Sequence, residues 1–467
     1  MTDPERIVVV GASLAGLRAA EALRDEGFTG ELTLIGDEPY APYDRPPLSK
    51  AVLSGWLTTD RTELPRVRDI GARWLLDTRA VGLDPRTRRV TLADGRQVDY
   101  DRLLIATGTR SRPWPPERGG ALHGVHLLRS RDDADRLRAA LAAGPDRVLV
   151  IGAGFTGGEV ASVCRDLGIE VTVTQRSSAP LASALGEVIG GAAARWYRDA
   201  GVDLRLGTTV QALEGDADGR LRRAVLSDRA VVAAEVAVVA TGALANTEWL
   251  AGSGLAADAH GVQCDASCRA LTDDGTTLPD VFVAGDVARW PHPLFPRQLL
   301  RLDHWDNAVA QARTAAHNMT HAPRDHRSHR PLPAFWSNQF GANLKCLGLP
   351  ALADQVVVTQ GALDQRQFVA AYGQRGRLVA VAAVDSPRVL DGYAALIEAG
   401  APFPPVLNAT DGPGRLEPLD AAFPRPAPAA VPRPTDPTPG HLPAPSSPLA
   451  TPAPPIPSTL SVLAGHE

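Results

Sequence analysis

The sequence predicts an α/β fold made of two repeated strand–helix–strand units, followed by a smaller α+β domain. The segments IVVVGASLAG, from Ile7, and VLVIGAGFTG, from Val148, are apolar strands that enter a glycine turn, a helical stretch and a second strand. The segments LLIATG (103–108) and VAVVATG (236–242) each close one unit. Repeated βαβ units imply parallel sheets covered by helices, whereas the short strands VVVTQG, QFVAAYG and LVAVAAV after residue 324 imply an antiparallel sheet.

Composition and charge exclude several classes of protein. The 467 residues are 44% hydrophobic and 22% charged, as in ordinary globular proteins. The 48 Lys and Arg against 53 Asp and Glu give a net charge of −5, so we expect no nucleic-acid partner. The chain has no run of about 20 apolar residues, so we expect no membrane span. Four cysteines are too few for a disulfide scaffold, and the first strand follows no basic leader, so we expect a cytoplasmic protein.

The second unit is inserted into the first. The strand that ends in FVAGD (282–286) has only the first sheet to join, so the first domain is predicted to be discontinuous. The predicted domains are residues 1–115 with 246–324, residues 116–245, and residues 325–410. Residues 411–467 are rich in proline and are predicted to form a disordered or polyproline-II tail.

Both glycine turns predict phosphate binding. Gly152, Gly154 and Gly157 follow the GxGxxG pattern, in which the glycines permit a tight turn, close approach of a pyrophosphate, and helix–strand packing. The first copy has Ser13 in place of the second glycine, and its small hydroxyl could itself donate to a phosphate oxygen. A helix N-terminus next to each turn adds N–H donors and a positive dipole. The sequence therefore predicts two Rossmann-like dinucleotide-binding domains.

The end of the second strand differs between the two units. Asp37, with Glu38 beside it, follows the first copy and could accept both ribose hydroxyls of an adenosine. The second copy has Gln175 and Arg176 there, and a guanidinium would favour the 2′-phosphate of NADPH. Arg176 could equally face solvent, so the choice between NADH and NADPH stays open.

Several motifs resemble one family. PYDRPPLSK (42–50), the two ATG segments, FVAGD (282–286) and FWSNQFG (335–341) are similar to those of the FAD-dependent ferredoxin reductases, such as rubredoxin and putidaredoxin reductase. That family is related to glutathione reductase and to apoptosis-inducing factor. The resemblance covers about residues 5–400, and it implies a glutathione-reductase-like fold with bound FAD and NADH or NADPH as reductant.

The resemblance also implies which residues bind the cofactors. Arg45 would meet the phosphates or flavin, Ala80 the adenine through its backbone, and Asp286 a ribityl or phosphate-side oxygen. Trp305 and Trp336 would line the isoalloxazine, although large aromatic residues more often serve as core. The implied cofactor-binding residues are Gly11, Ala12, Ser13, Gly16, Asp37, Glu38, Arg45, Lys50, Ala80, Thr107, Gly108, Arg129, Gly152, Gly154, Phe155, Gly157, Glu159, Gln175, Arg176, Gly242, Gly285, Asp286, Trp305 and Trp336.

Lys50 and Glu159 are the residues to which the resemblance assigns a catalytic role. The chain contains only two lysines, Lys50 and Lys345, among 48 basic residues, so a retained lysine is notable. In the family this lysine pairs with a glutamate of the nicotinamide-side helix beside flavin N5. There the ammonium would stabilise the reduced flavin, and the carboxylate would hold it in position.

The resulting hypothesis is an NAD(P)H-dependent flavoprotein that passes single electrons to a ferredoxin-type iron–sulfur protein of an oxygenase system. The alternatives are an NAD(P)H oxidase or quinone reductase, and a redox signalling flavoprotein resembling apoptosis-inducing factor. Because such ferredoxins are typically acidic, we expect a basic rim at the flavin edge. The candidates are Arg297, Arg301 and Lys345, although most exposed arginines are merely solvated.

The cysteines and histidines predict no further chemistry. No CxxC pair follows the first glycine turn, which disfavours a disulfide reductase. Cys264 and Cys268 are interpreted as unpaired thiols. His317, His321, His326 and His329 lack cysteine or acidic partners at ligand spacing, so we interpret them as a solvated loop and expect no metal site.

Overall fold

The elements of the fold come from a computed structural model, which describes residues 4–295, 298–405 and 418–424. The described residues form six α-helices: α1 (Leu14–Asp25), α2 (Arg131–Ala142), α3 (Phe155–Asp166), α4 (Ala182–Asp199), α5 (Trp305–Thr320) and α6 (Leu390–Glu398). They also form short 3-10 turns at Pro46–Ser49, Thr59–Thr62, Pro116–Arg118, Glu248–Leu250, Pro323–Asp325, Pro350–Leu352 and Pro387–Val389. None of the helices in these ranges is long and apolar enough to cross a membrane.

The strands of the described residues are short. In chain order they are β1 (Arg6–Val10), β2 (Glu31–Ile35), β3 (Arg73–Leu75), β4 (Ala80–Asp84), β5 (Arg89–Leu92), β6 (Gln97–Asp99), β7 (Arg102–Ile105), β8 (Thr109–Ser111), β9 (Val125–His126), β10 (Arg147–Ile151), β11 (Glu170–Gln175), β12 (Asp203–Leu206), β13 (Val210–Gly215), β14 (Leu221–Leu226) and β15 (Val231–Ala233). They continue with β16 (Val236–Val239), β17 (Ala243–Ala245), β18 (Ala257–Asp258), β19 (Gly261–Gln263), β20 (Arg269–Leu271), β21 (Thr277–Val283), β22 (Ala288–Pro291), β23 (Leu299–Leu300), β24 (Ala334–Gln339), β25 (Ala342–Gly348), β26 (Gln355–Gly361), β27 (Phe368–Gln374), β28 (Arg377–Val384) and β29 (Leu419–Asp420).

The first sheet has the order β20-β21-β7-β1-β2-β3. Its strands β21, β7, β1, β2 and β3 are parallel, as the βαβ pattern predicts. β21, which leads into FVAGD, pairs with β7, so the strand far along the chain does return to the first sheet. β1 is buried on both faces, which explains its nearly continuous run of valines.

The second sheet repeats this arrangement. Its five parallel strands have the order β12-β11-β10-β16-β9, and β10 pairs with β11 and β16 as β1 pairs with β2 and β7. Each unit also carries a three-stranded antiparallel sheet, β4-β5-β6 in the first and β13-β14-β15 in the second. β8 and β17, which lie where the chain leaves the first unit and comes back to it, pair with each other.

The third sheet is antiparallel, in the order β24-β25-β28-β27-β26-β29. Its central strand β28 is rich in small and β-branched residues, and α6 packs on β28 and β25. β29 pairs with β26, so this sheet extends to Asp420, within the segment 411–467 that the sequence analysis assigned to the tail. Apart from residues 418–424, that segment lies outside the described residues.

The two glycine turns obey the same steric constraints. A Cβ on Gly11 would lie 2.1 Å from the Ala106 oxygen, and one on Gly152 would lie 2.4 Å from the Ala240 oxygen. Both glycines also have positive φ, 121° and 108°. Each turn therefore crosses closely over the next parallel strand of its sheet, which brings the strand end and the helix start together.

Candidate functional site

Each glycine turn ends at the N-terminus of a helix, where a phosphate could be bound. Ser13 is the N-cap of α1 and its side chain makes no capping hydrogen bond, while Gly154 is the N-cap of α3. A Cβ on Gly154 would meet no protein atom within 4 Å, so the space in front of α3 is open. Glycine cradles and free helix N–H groups fit the pyrophosphates of FAD and of a nicotinamide coenzyme.

Four of the predicted FAD-binding residues form one polar chain. Arg45 Nη2 lies 2.7 Å from Glu38 Oε1, and Arg45 Nη1 donates to the Arg129 carbonyl at 2.8 Å. Arg129 Nη2 in turn pairs with Asp286 Oδ2 at 2.5 Å. The chain links the turn after β2, the PYDRPPLSK segment, the residues before α2, and the turn after β21.

Asp44 and Asp303 are two further carboxyl groups, each on a segment that contributes to the implied FAD site. Asp44 Oδ1 accepts a hydrogen bond of 2.9 Å from Trp305 Nε1, at the start of α5, and burial raises the pKa of Asp44. Burial and the neighbouring Asp286 carboxylate raise the pKa of Asp303 to about 6. Partly buried acids whose pKa is raised are typical of functional sites.

Lys50 and Glu159, far apart in the chain, form an ion pair. Lys50 Nζ lies 2.7 Å from Glu159 Oε2, and the Glu159 side chain is only 8% exposed. Lys50 follows the 3-10 turn Pro46–Ser49, which the two prolines of RPPLSK begin, and Glu159 lies in the second turn of α3. The ammonium is also 5.3 Å from the ring centroid of Trp336, on β24. Three elements from different parts of the chain therefore meet at this pair.

The sequence analysis missed the hydroxyl groups that bind Glu159. Ser49 Oγ donates to Glu159 Oε2 at 2.5 Å, and Ser337 Oγ donates to Oε1 at 2.6 Å. Gln339 Nε2 donates to Ser337 Oγ at 3.1 Å, and the Tyr197 hydroxyl lies 3.4 Å from Gln339 Oε1. The available signal was the period of two along FWSNQ, which turns Ser337 and Gln339 to the buried face of β24.

Phe155 and Gln175 lie where the second coenzyme is expected, with aromatic neighbours on one side. Phe155, the first residue of α3, is 5.1 Å from the Phe335 ring, which stacks on His304 at 5.2 Å. Gln175 Oε1 accepts from the backbone N–H of Ala153, within the glycine turn. Arg176 is exposed beside it. The turn is thus braced by Gln175, whereas the guanidinium of Arg176 reaches solvent.

The other implied cofactor-binding residues occupy turns and strand ends. Asp37 is exposed after β2, Ala80 begins β4, and Thr107 Oγ1 donates to the Asn246 carbonyl. Gly108, Gly242 and Gly285 have positive φ in the turns that follow β7, β16 and β21, and Gly285 N donates to Gln311 Oε1.

Two of the three predicted docking residues are described. Lys345, on β25, is the cross-strand neighbour of Trp336, a residue that is 40% exposed. Arg301 is paired with Asp303 at 3.1 Å and also contacts the His260 carbonyl, so its charge is partly neutralised. Arg297 lies outside the described residues. Of the two described residues, Lys345 is the cation that lies next to the aromatic edge.

The four cysteines are buried free thiols. Cys264 and Cys268 are unpaired, as expected, and Cys164 and Cys346 are also free. Burial raises the pKa of Cys164 to about 12, so this thiol is not a ready nucleophile.

The interpretation of the histidines as a solvated loop is wrong. His317 lies on α5 and is 4% exposed, and His329 is fully buried. His329 Nε2 lies 3.1 Å from Asn307 Oδ1, and burial lowers its pKa to about 3. The helix α5 continues through His317 because the alanine-rich stretch before it packs against α1. The spacing of the histidines in the sequence does not reveal this packing.

Comparison with known proteins identifies relatives over nearly the whole described chain. Residues 5–312 match the family model for pyridine nucleotide-disulphide oxidoreductases, and residues 334–412 match that for the reductase C-terminal domain. Rhodocoxin reductase of Rhodococcus erythropolis is 38% identical over 390 residues, which are 82% of this chain and 87% of the relative. The ferredoxin--NAD(+) reductase component of an anthranilate 1,2-dioxygenase system of Burkholderia cepacia is also 38% identical, over 85% of this chain and 95% of the relative.

A solved structure shows the same architecture. The crystal structure of a covalent putidaredoxin reductase–putidaredoxin complex contains a chain that matches with a TM-score of 0.78 and 31% sequence identity. The match covers 86% of this chain and 94% of the other.

Proposed function

This chain belongs to the pyridine nucleotide-disulphide oxidoreductase family, and on that premise we propose that it is an FAD-dependent NAD(P)H:ferredoxin oxidoreductase serving an oxygenase system. The observation that carries the proposal is the Lys50–Glu159 pair, which joins the PYDRPPLSK segment to α3 beside Trp336. We assign the first sheet unit to FAD and the second to NAD(P)H. FAD, when bound, accepts a hydride from the nicotinamide and releases the two electrons one at a time.

The residues of the chain orient the reactants and exclude water. Glu159 forms an ion pair with Lys50 and accepts hydrogen bonds from two hydroxyl groups. Its carboxylate therefore has one defined orientation and holds the ammonium in place. The fixed positive charge of the Lys50 ammonium, next to the flavin, would stabilise the negative charge that the hydride brings. Phe155 and Phe335 close the nicotinamide side with apolar surface. We also propose a cytoplasmic location, which the four free thiols support.

The acceptor is tested by steady-state turnover. We expect NAD(P)H oxidation to be slow in air and to rise strongly when an acidic ferredoxin is added, with electrons recovered as reduced ferredoxin. Equal turnover without ferredoxin, together with stoichiometric loss of oxygen or quinone, would favour the oxidase or quinone reductase alternative.

The choice of coenzyme depends on Arg176. Arg176 directly follows β11, at the position where a carboxylate would favour NADH. Because its guanidinium is exposed and positively charged, we expect measurable turnover with NADPH. Arg176→Ala should raise the KM for NADPH by roughly 10- to 150-fold, since a hydrogen bond to a charged group contributes roughly 1.5–3 kcal/mol, and should change the KM for NADH little.

Arg198→Ala, another exposed arginine at the end of α4, is the matched control and should leave both constants unchanged. A strict preference for NADH that Arg176→Ala does not alter would show that Arg176 faces away from the coenzyme.

Ferredoxin docking is expected at the edge formed by Trp336 and Lys345. Lys345→Glu should raise the KM for an acidic ferredoxin several-fold and leave the reduction of the flavin by NAD(P)H unchanged. The rate with ferredoxin should fall as salt is added, because exposed charges are screened beyond about 10 Å at 0.1 M salt.

Arg377→Glu provides a matched charge reversal on the same sheet. Arg377 begins β28, whereas Ala383, the cross-strand neighbour of Lys345, lies near its end, roughly 20 Å away at 3.3 Å per residue. Arg301 is a poorer test, because reversing its charge also disturbs Asp303. Equal effects of the two reversals, or kinetics insensitive to salt, would show that ferredoxin docks elsewhere.

A further inference from the structure

Three potential metal-binding side chains meet where two helices end, away from the glycine turns. Glu26 is the C-cap of α1, His317 lies in the last turn of α5, and His321 is the C-cap of α5. One ligand atom from each lies within 4.8 Å of the others. Sequence spacing predicted no metal site at these histidines, because the carboxylate that joins them comes from nearly 300 residues earlier in the chain.

Backbone carbonyls orient both imidazole rings. His317 Nε2 lies 3.2 Å from the Asp325 carbonyl oxygen, and His321 Nδ1 lies 2.9 Å from the His317 carbonyl oxygen. A ring nitrogen can bond to a carbonyl only as an N–H donor, so in each neutral ring the other nitrogen carries a lone pair. Histidine ligands of metal ions are typically held in this way.

The two remaining nitrogens face the same carboxylate. His317 Nδ1 is buried, makes no hydrogen bond, and lies 3.1 Å from Glu26 Oε1. His321 Nε2 lies 3.9 Å from Glu26 Oε2. Lone pairs on nitrogen and carboxylate oxygen repel each other at 3.1 Å, so the arrangement needs a cation between them, either a proton or a metal ion.

The geometry is that of an open three-ligand site. Tetrahedral ligands at about 2.0–2.1 Å from zinc are about 3.3 Å apart, and the two observed N–O separations lie on either side of this value. His321 is 35% exposed and Glu26 28% exposed, so the site has a path to solvent and room for a water as fourth ligand. The C-terminal ends of α1 and α5 also add negative partial charge, which favours a cation.

We propose that Glu26, His317 and His321 bind a divalent transition metal ion of the zinc type. Two imidazoles and one carboxylate suit such an ion better than magnesium or calcium, which prefer oxygen ligands. The ion clamps the end of α1 to the end of α5. Since α1 begins at the first glycine turn and α5 begins at Trp305, the clamp braces two helices whose other ends face the FAD site.

The test is calorimetric titration of Zn²⁺ into untagged, FAD-loaded protein that has been stripped of metal with a chelator. We expect one strong site in the wild-type protein. Glu26→Gln and His321→Asn should each weaken it by more than the roughly 10–100-fold that outer-shell changes produce. His317 is left unchanged because its burial makes a folding defect the expected result of replacing it.

His260→Asn is the matched control, since His260 is exposed and belongs to another turn, and it should keep the strong site. Zn²⁺ should raise the unfolding temperature of the wild-type and His260→Asn proteins, to a degree set by free Zn²⁺, and not that of the two ligand variants. Circular dichroism checks that both variants are folded.

Absence of a one-to-one site in the wild-type protein would overturn the proposal and would leave a proton as the cation between His317 and Glu26. A site that survives in both ligand variants would overturn it as well, since other histidines would then bind the zinc. Because titration and unfolding measure no turnover, neither result depends on the proposed function.

Discussion

Replacing Lys50 with methionine should slow the reduction of the flavin by NAD(P)H by roughly 100-fold. Methionine keeps the unbranched stem but removes the charge that lies 2.7 Å from Glu159 and 5.3 Å from the Trp336 ring. Loss of one preorganised group that stabilises developing charge costs about 2.7–4 kcal/mol, which corresponds to 10²–10³ in rate. Single-turnover stopped-flow measurement of the flavin absorbance isolates this step from the transfer to ferredoxin.

The burial of Glu159 requires a control for stability, because Lys50→Met leaves a buried carboxylate without its cation. The hydroxyls of Ser49 and Ser337 still donate to it, so we expect the fold to persist. The double variant Lys50→Met/Glu159→Gln removes the unpaired charge and should regain stability while flavin reduction stays slow. A double variant whose reduction rate returns to that of the wild type would limit the pair to a structural role.

The second large effect is expected in the first glycine turn, where Gly16→Ala should yield protein without FAD. The wild-type protein should be yellow with non-covalently bound FAD. A Cβ at position 16 would lie 2.0 Å from the Gly11 carbonyl oxygen, which is backbone and cannot swing away. The turn must open to admit the methyl group, and we expect this to cost more than the roughly 1–3 kcal/mol of ordinary overpacking. The N–H groups at the start of α1 then no longer converge on the pyrophosphate.

Two further glycines make this test specific. Gly157→Ala brings a Cβ within 1.9 Å of the Gly152 oxygen, so it should impair NAD(P)H binding and leave the protein yellow. Gly191→Ala, in helix α4, meets no protein atom within 4 Å and should change neither property. The measurements are the flavin-to-protein absorbance ratio and the Kd for the coenzyme. A Gly16→Ala protein with full FAD content would show that the pyrophosphate is not bound at this turn.

Local sequence determined the two nucleotide-binding units. The strand, the glycine turn and the helix of each unit are contiguous in the chain, and their hydrophobic period and glycine spacing are local properties. β1 with α1 and β10 with α3 therefore form where the pattern predicts them. The pairing of β21 with β7 could also be predicted, because parallel-sheet topology leaves few strands to join.

The resemblance of the motifs also predicted the Lys50–Glu159 pair, although spacing alone does not bring together two residues from separate units. The contacts around that pair required the tertiary structure. Ser49 and Ser337 are ordinary small polar residues in the sequence, and only the approach of β24 to α3 turns them toward Glu159.

The same physical reason explains the histidines. His317 was interpreted as part of a solvated loop because it lacks cysteine or acidic partners at ligand spacing in the sequence, but burial depends on which helix packs against it. The packing of α5 on α1 buries His317 and brings Glu26 to within 3.1 Å of its ring nitrogen. Local sequence thus determines the strands, turns and helices of the two nucleotide-binding units, whereas the partners of a polar side chain are determined by long-range packing, which no local pattern encodes.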